Sequence, residues 1–524
     1  MRARASFRIS GAFIASSGSR RKPLSCILRP MAKLLRRLLP LLVIAAVGAL
    51  LLYLPEIGPE RYTDLATFFR VERRRQAFSG YAVAAVEQGS VLYVDGFGID
   101  GTGKPIGADS PLFIGDASKS LAGTAALSLV RDRKLDLDAP VRRYLPWFGF
   151  AGGAGLDVTP RHLLSQTSGV SAESFDDAHR FAPDLEGAAR SLSAARPVAA
   201  PGSSFHYIET GYQALGLIME KAAGKPYPEL LAERILAPLG MARTTARPEG
   251  AGVATPSGSA CFFGAALPRG MAPRPFEAPS SSVLSTASDV GLYMAFLVAP
   301  EKQKRAPFGA LTVRALFLPL EQSSRFGFGW YLDGEGKGRA AYIDGSLEGF
   351  SSRIVVWPEL DAGVAVLAAQ SSLLQSAFAL PALVDGARRI MLEGGAPRPF
   401  PLGRLYILLA VIAFVHVAAL ALQTGGALSW AKEVRDRAEA RGGRGPILLA
   451  SIRAWLGIAI CVAALALAPK AMSLGFGRAV SWRTAFALEP GLAAWCASAC
   501  FFGLLRDIAR LAWLRGSRSA KRFR

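Results

Sequence analysis

The stretch best equipped for chemistry is Phe113-Ile-Gly-Asp-Ala-Ser-Lys119, followed by SLAGTAALSLVRDRKLDL. Leu121, Ala125, Leu129 and Val130 recur at helical spacing, so a helix is expected there, with Gly115 permitting a sharp entry. Asp116 and Lys119 then rise from one face of its first turn. An amine placed one turn from a nucleophile can relay protons. A carboxylate at that spacing instead pairs with the ammonium and occupies it. An acidic residue in a first helical turn also has a purely structural use, worth about 0.3–1 kcal/mol, and pairing at i, i+3 adds a few tenths. Ser118 and Ser120 flank Lys119 at adjacent positions, where side chains do not share a helix face.

Other chemistries fall away on spacing. Gly98-x-x-x-x-Gly103-Lys104 approaches a phosphate loop, but Pro105 stands where Ser or Thr is required and no helix follows, so it reads as a hairpin loop. The four histidines (His162, His179, His206, His416) and five cysteines (Cys26, Cys261, Cys461, Cys496, Cys500) form no HExxH, CxxC or clustered pattern. No metal or other cofactor is expected. Only Cys261 lies in the central region, which excludes a disulfide within it.

The net charge of +21 suggests nucleic acid until it is located. Residues 56–400 hold 34 Lys and Arg against 35 Asp and Glu, whereas the flanks 1–55 and 401–524 hold 27 against 5. Basic residues beside apolar runs are what the cytoplasmic ends of membrane helices carry. The expected partner is therefore a lipid bilayer and not a nucleic acid.

Five segments follow. Residues 1–30 are Arg- and Ser-rich and read as a non-structural extension, since Met31 opens the more familiar MAKLLRR. Residues 31–55 contain the uncharged run Leu38–Pro55; signal peptide and anchor compete, and the absence of an A-x-A site before Glu56 favours an anchor helix. Residues 56–393 form one globular domain, 394–404 a Gly/Pro linker, and 405–524 three apolar runs: Leu405–Leu422, Ile447–Ala468 and about Ala485–Leu505. Strands are expected at Tyr81–Val86, Ser90–Val94, Phe326–Leu332, Ala340–Ile343, Phe350–Trp357 and Gly363–Ala369, with helices between. That order implies a sheet built from both ends of the domain around an inserted helical region. The basic loop after Leu422 and the basic tail place both termini in the cytoplasm and the domain on the exported side of a multi-pass protein of the cell membrane with four spans. Arg453 and Glu489, inside or beside the spans, read as residues near helix ends.

Residues from about 75 to 393 resemble the β-lactamase-related serine hydrolases, which include class C β-lactamases, D-Ala-D-Ala peptidases and esterases. The resemblance runs through FIGDASKSLAGTAALSLVRDRKLDLDAPVRRYLP, VTPRHLLSQTSGV, SSFHYIETGYQALGLIMEKAAGKPYPELLAERILAPLGM, VLSTASDVGLYMAFL and DGSLEGFSS. It implies an α/β (α+β) fold with an antiparallel sheet, here followed by an all-α transmembrane region. It also implies acyl transfer through Ser-x-x-Lys, Tyr-x-Asn and Lys/His-x-Gly motifs, with helix dipole and backbone N–H groups stabilising the oxyanion. The matching positions are Asp116-x-x-Lys119, Tyr207-x-Glu209 and Ile343-x-Gly345, and Gln166 stands for a family His. One element of each motif is replaced: Asp116, Glu209 and Ile343.

A carboxylate attacks amides poorly, and losing a catalytic serine alone lowers turnover by on the order of 10⁶. Ile343 removes a cationic wall, while Glu209 and Asp344 add carboxylates. Together with Gly345 and Ser346 they describe a pocket for a neutral or cationic ligand. The expected function is thus a membrane-tethered domain with a binding or regulatory role at the cell envelope, through a ligand or membrane-protein partner, without an acyl-enzyme. The alternative is a hydrolase working through Asp116 and Glu209, assisted by Lys119 and Tyr207.

Overall fold

The computed structural model describes residues 39, 42–51, 54–55, 58–171, 182–247, 255–270, 274–304, 306–334, 336–476 and 480–515. It divides into two compact units, Met1–Tyr53 and Leu54–Arg524. In the first, a short apolar helix covers Leu42–Leu51; the 1–30 extension and the basic Lys33, Arg36 and Arg37 lie outside the described residues. All that follows concerns the second unit.

Helix α1 (Leu65–Arg75) starts where Asp64 accepts a hydrogen bond from the Thr67 amide at 2.7 Å. Strands β1 (Gly80–Glu87) and β2 (Ser90–Gly98) form a hairpin. Helices α2 (Ser118–Arg131), α3 (Glu209–Ala223) and α4 (Ala287–Val298) belong to the inserted region. The chain then returns to the sheet through β3 (Phe326–Gly327), β4 (Trp330–Asp333), β5 (Ala340–Leu347), β6 (Phe350–Trp357) and β7 (Ala362–Ala368), and leaves along α5 (Leu380–Glu393). The seven strands lie in the order β2-β1-β7-β6-β5-β4-β3, every pairing antiparallel. The chain-end strands meet where β1 pairs β7, Tyr81 opposite Ala368.

Alternation assigns each residue of the central strands to one of two cores. Ala82, Ala84 and Val86 join Ala365 and Leu367 under α2 and α4, while Tyr81, Val83 and Ala85 join Val364 and Val366 against α1 and α5. Both faces of β1 and β7 are thereby covered, which is why these strands read as near-continuous apolar runs.

Phe326–Leu332 is not one strand. Phe328 and Gly329 take φ values of 50° and 86°, and the chain reverses between β3 and β4. This turn abuts α2 at contacts that only glycine permits: a Cβ on Gly123 would lie 1.8 Å from the Phe328 carbonyl oxygen, and one on Gly329 would lie 2.1 Å from that of Lys119.

Residues 394–404 are strapped to the domain. Ala396 and Pro397 pair with Tyr62 and Arg61, Arg75 donates to the Pro399 carbonyl at 2.9 Å, and Gln76 donates to that of Phe400 at 2.9 Å. Four long helices follow: α6 (Leu402–Gly425), α7 (Ala427–Ala440), α8 (Gly445–Phe476) and α9 (Pro490–Arg515). Three of them, over Leu402–Gly425, Gly445–Leu474 and Pro490–Arg515, are long and apolar enough to cross a membrane. Glu489, just before the third, is fully buried against the globular domain. Its carboxylate accepts from the Ser372 hydroxyl at 2.6 Å and the Leu374 amide at 3.3 Å, and Ser372 also bonds the Tyr406 hydroxyl at 2.6 Å. A second contact joins the two regions: a Cβ on Gly491 would lie 3.0 Å from the Phe263 amide nitrogen, in the turn of the small hairpin Gly258–Phe262 and Ala265–Arg269.

Candidate functional site

The site begins at a backbone crossing. Before α2 the chain makes one 3₁₀ turn, Gly115–Ala117, with Gly115 at φ 58°. Strand β5 passes directly beside it. A Cβ on Gly345 would lie 2.0 Å from the Ile114 carbonyl oxygen, and one on Gly115 would lie 2.5 Å from the Ser346 amide nitrogen. The Ser352 hydroxyl fixes the crossing by donating to the Ile114 carbonyl at 2.8 Å. Two glycines thus set the Ser346 amide against the turn that carries Asp116.

Lys119 Nζ lies 2.8 Å from Asp116 Oδ1; the lysine side chain is 0% exposed and the aspartate 8%. The ammonium also donates to the Ser280 carbonyl at 2.9 Å and sits 5.0 Å from the centre of the Tyr207 ring. A carboxylate, a carbonyl and an aromatic face therefore surround it. Removing one partner of such a buried pair leaves an uncompensated charge, at about 3–5 kcal/mol.

Ser118 and Ser120 are held in the framework. Ser118 donates to the Gly115 carbonyl at 2.7 Å and accepts from the Val283 amide at 3.1 Å; Ser120 donates to the Ala117 carbonyl at 2.7 Å. Lone pairs and protons spent on backbone leave neither poised for attack.

The remaining residues come from two other elements. Tyr207 precedes α3, and Glu209 is its first residue. Ile343 is 1% exposed and packs in the core cluster with Ile114, Ala117 and Leu121. Asp344 points to the other side of β5, where Arg353 Nη1 reaches both its carboxylate oxygens at 2.7 Å. The Asp344 side chain keeps 38% of its surface open. Enough protein surrounds it that burial raises its pKa despite Arg353, and the charge of Asp116 adds to the rise.

Sequence reasoning missed three supporting residues. Gln166 sits at φ 59° and clamps the Tyr207 segment: its carbonyl accepts from the His206 amide at 2.7 Å and its side chain from the Ile208 amide at 2.9 Å. The sequence marks Gln166 only as a departure from a family His; its position between VTPRHLLS and TSGV was the available signal. Ser280, which supplies the carbonyl to Lys119, lies in a run of three serines with nothing to distinguish it. Arg353, the partner of Asp344, stands opposite it in the β5–β6 register, a signal available once the hairpin was recognised.

Comparisons with known proteins agree with this frame. A family model described as Beta-lactamase matches residues 65–388. Protein flp of Staphylococcus aureus (strain MW2) is 24% identical, over 58% of this chain and 62% of that protein. The chain thus spans less than two thirds of that relative's length. Esterase EstB of Burkholderia gladioli is 31% identical, over 34% of this chain and 49% of that protein. Among solved structures, the octameric penicillin-binding protein homologue from Pyrococcus abyssi superposes with a TM-score of 0.53 at 25% identity, covering 63% of this chain and 77% of that one. EstCE1, a hydrolase with promiscuous acyltransferase activity, gives 0.51 at 20% identity over 58% and 93%, a likeness of fold. The family match runs from the start of α1 into α5 and takes in the whole sheet together with the Asp116–Lys119 corner, so the chain is a member of the β-lactamase family carrying a further helical region beyond the shared fold.

Proposed function

We propose that this protein is a membrane-tethered β-lactamase-family domain that binds a neutral or cationic ligand, or a membrane-protein partner, at the cell envelope without forming an acyl-enzyme. One observation carries the reading: the residue at the nucleophile position is a carboxylate paired with the buried Lys119 ammonium at 2.8 Å. A lysine held by Asp116, Ser280 and Tyr207 has no hydroxyl to deprotonate, and a mixed anhydride formed on Asp116 would be labile. Basic residues concentrated after α6 and in the tail support a topology with both termini in the cytoplasm and the domain exported.

Incubation of the full-length protein in membranes with a fluorescent penicillin tests this. No covalent band is expected. A band abolished by Asp116→Ala overturns the proposal. The companion variant Asp116→Ser, Glu209→Asn, Ile343→His asks whether the scaffold still supports acylation; regained ester or β-lactam hydrolysis is expected if only the reactive groups were lost.

One observation favours a second reading. Tyr207 packs 5.0 Å from the Lys119 ammonium, which brings the segment leading into Glu209 at the start of α3 to the Asp116–Lys119 corner, and paired carboxylates can divide general-acid and general-base roles. A hydrolase using Asp116 and Glu209, with Lys119 and Tyr207 assisting, would lose its turnover in Asp116→Ala. Equal activity in that variant ends this reading.

A further inference from the structure

The end of the helical bundle nearest α7 encloses a cavity of about 370 Å³. Its charged lining is Arg437 and Arg441 from α7 and its C-terminus, Arg453 from α8, and Arg506, Asp507 and Arg510 from α9. Five guanidinium groups thus face one carboxylate. Asp507 is 1% exposed and fully engaged: Arg506 grips it at 2.9 and 2.6 Å, and Arg510 reaches it at 3.3 Å. Arg437 is paired with Glu433 at 3.1 Å. The side chains of Arg441 and Arg453 form no ion pair or hydrogen bond among the described residues. The buried Nε of Arg510 has no hydrogen-bond partner among them either, although its guanidinium donates to the Gln423 side-chain carbonyl at 3.4 Å and is held 4.7 Å from the centre of the Trp430 ring.

The chain cannot balance this charge from its own helical region. Residues 401–524 hold only five acids: Glu433, Asp436, Glu439, Glu489 and Asp507. Glu489 is spent on Ser372 at the other end of α9, and neither Asp436 nor Glu439 lines the cavity. Arg506 and Arg510 are largely buried, with 19% of each side chain open, whereas Arg437, Arg441 and Arg453 are exposed. Guanidinium groups in such excess attract an anion from outside, and their planar forks match the oxygens of a phosphate. The other wall is apolar, with Trp430, Val434 and Leu449. From there α8 presents Leu449, Ile452 and Leu456 at 50%, 54% and 57% exposure, a surface for acyl chains running beside the helix.

We propose that this cavity binds the phosphate headgroup of an anionic phospholipid. The inference rests on reading α6, α8 and α9 as membrane spans and is independent of the chemistry at Asp116. A basic pocket between helices at the membrane surface is a headgroup site by charge and by shape.

Native mass spectrometry of the delipidated full-length protein in detergent tests it, titrating phosphatidylglycerol, phosphatidylcholine and inorganic phosphate in parallel. Phosphatidylglycerol is expected to bind at one site at least about tenfold more tightly than phosphatidylcholine. The double variant Arg441→Gln, Arg453→Gln should weaken it on the order of tenfold. Lys432→Gln with Arg515→Gln removes the same charge outside the cavity and should weaken it less than about twofold. Arg453→Lys keeps the charge but loses the fork, and is expected to fall between these limits; it serves if the double variant does not fold. Equal losses in both double variants, or equal binding of the two lipids, overturn the site in favour of diffuse surface charge. Displacement of phosphatidylglycerol by inorganic phosphate at comparable concentration overturns the lipid assignment in favour of a soluble phosphate.

Discussion

Two regions of this molecule gather charged groups, and they treat them differently. At the α2 turn, one ammonium meets one carboxylate, one carbonyl and two aromatic rings, Tyr207 and Tyr212. In the cavity near α7, five guanidinium groups line the wall with one aspartate, which only Arg506 and Arg510 engage. The first arrangement is closed: every strong partner the lysine could offer a ligand is already taken. The second is open, because its charge is balanced only when something else arrives. A buried charge whose partners are complete belongs to the framework; a cluster of like charges with too few partners marks a place for a ligand of the opposite sign.

The largest effect that could break this contrast is at Asp116. Asp116→Ala leaves Lys119 buried without its counter-ion and should destabilise the protein by about 3–5 kcal/mol, whereas adding Lys119→Met should restore most of that loss. Denaturant unfolding of the two variants measures it; an equal loss in the double variant would show that the site depends on the ions themselves and not on their mutual compensation.

Glu489 falls between the two cases, buried and hydrogen-bonded but with no cation beside it. Its carboxyl is pushed up to about 7, chiefly by burial. A folded-state value above the unfolded one means that the carboxyl favours folding below the ordinary carboxylate range and that this contribution is lost as pH rises toward 7. Glu489→Gln removes that dependence. The variant and the wild type should match near pH 4, and the variant should be the more stable by up to about 3 kcal/mol above pH 8. Thermal unfolding across that range checks the sign; parallel curves would place the carboxylate in water.

The smallest effect sharpens the other half of the comparison. The side chains of Arg441 and Arg453 have no ion pair or hydrogen bond among the described residues, so neutralising both should change the stability of the lipid-free protein by less than about 0.5 kcal/mol. A drop as large as that at Asp116, measured by the same unfolding, would mean that these arginines belong to the framework after all.

What the sequence disclosed divides along the same physical line. Periodic burial was readable: Phe350–Trp357 emerges as β6 with those bounds, because its residues alternate between two apolar cores. Backbone reversals without a helpful residue were not. Phe328 at positive φ carries no sign of it, and Phe326–Leu332 therefore looked like one strand. At the site, Asp116 and Lys119 were visible because three residues of helix bring them together. Ser280 was invisible because it reaches the same ammonium from 161 residues away. Distance along the chain hides partners that a fold makes neighbours. The third apolar run, expected from about Ala485, forms its long helix only from Pro490, since Glu489 turns aside to bond Ser372.

That last contact changes what kind of tether the helices are. A domain hung from one flexible segment swivels, and its site samples all orientations above a surface. Here residues 396–400 are strapped to α1, Glu489 is seated under Ser372, and the Phe263 turn rests on Gly491. Three separate fixings hold the domain to the helices, so α9 does not turn without carrying along the domain that holds the Asp116 corner.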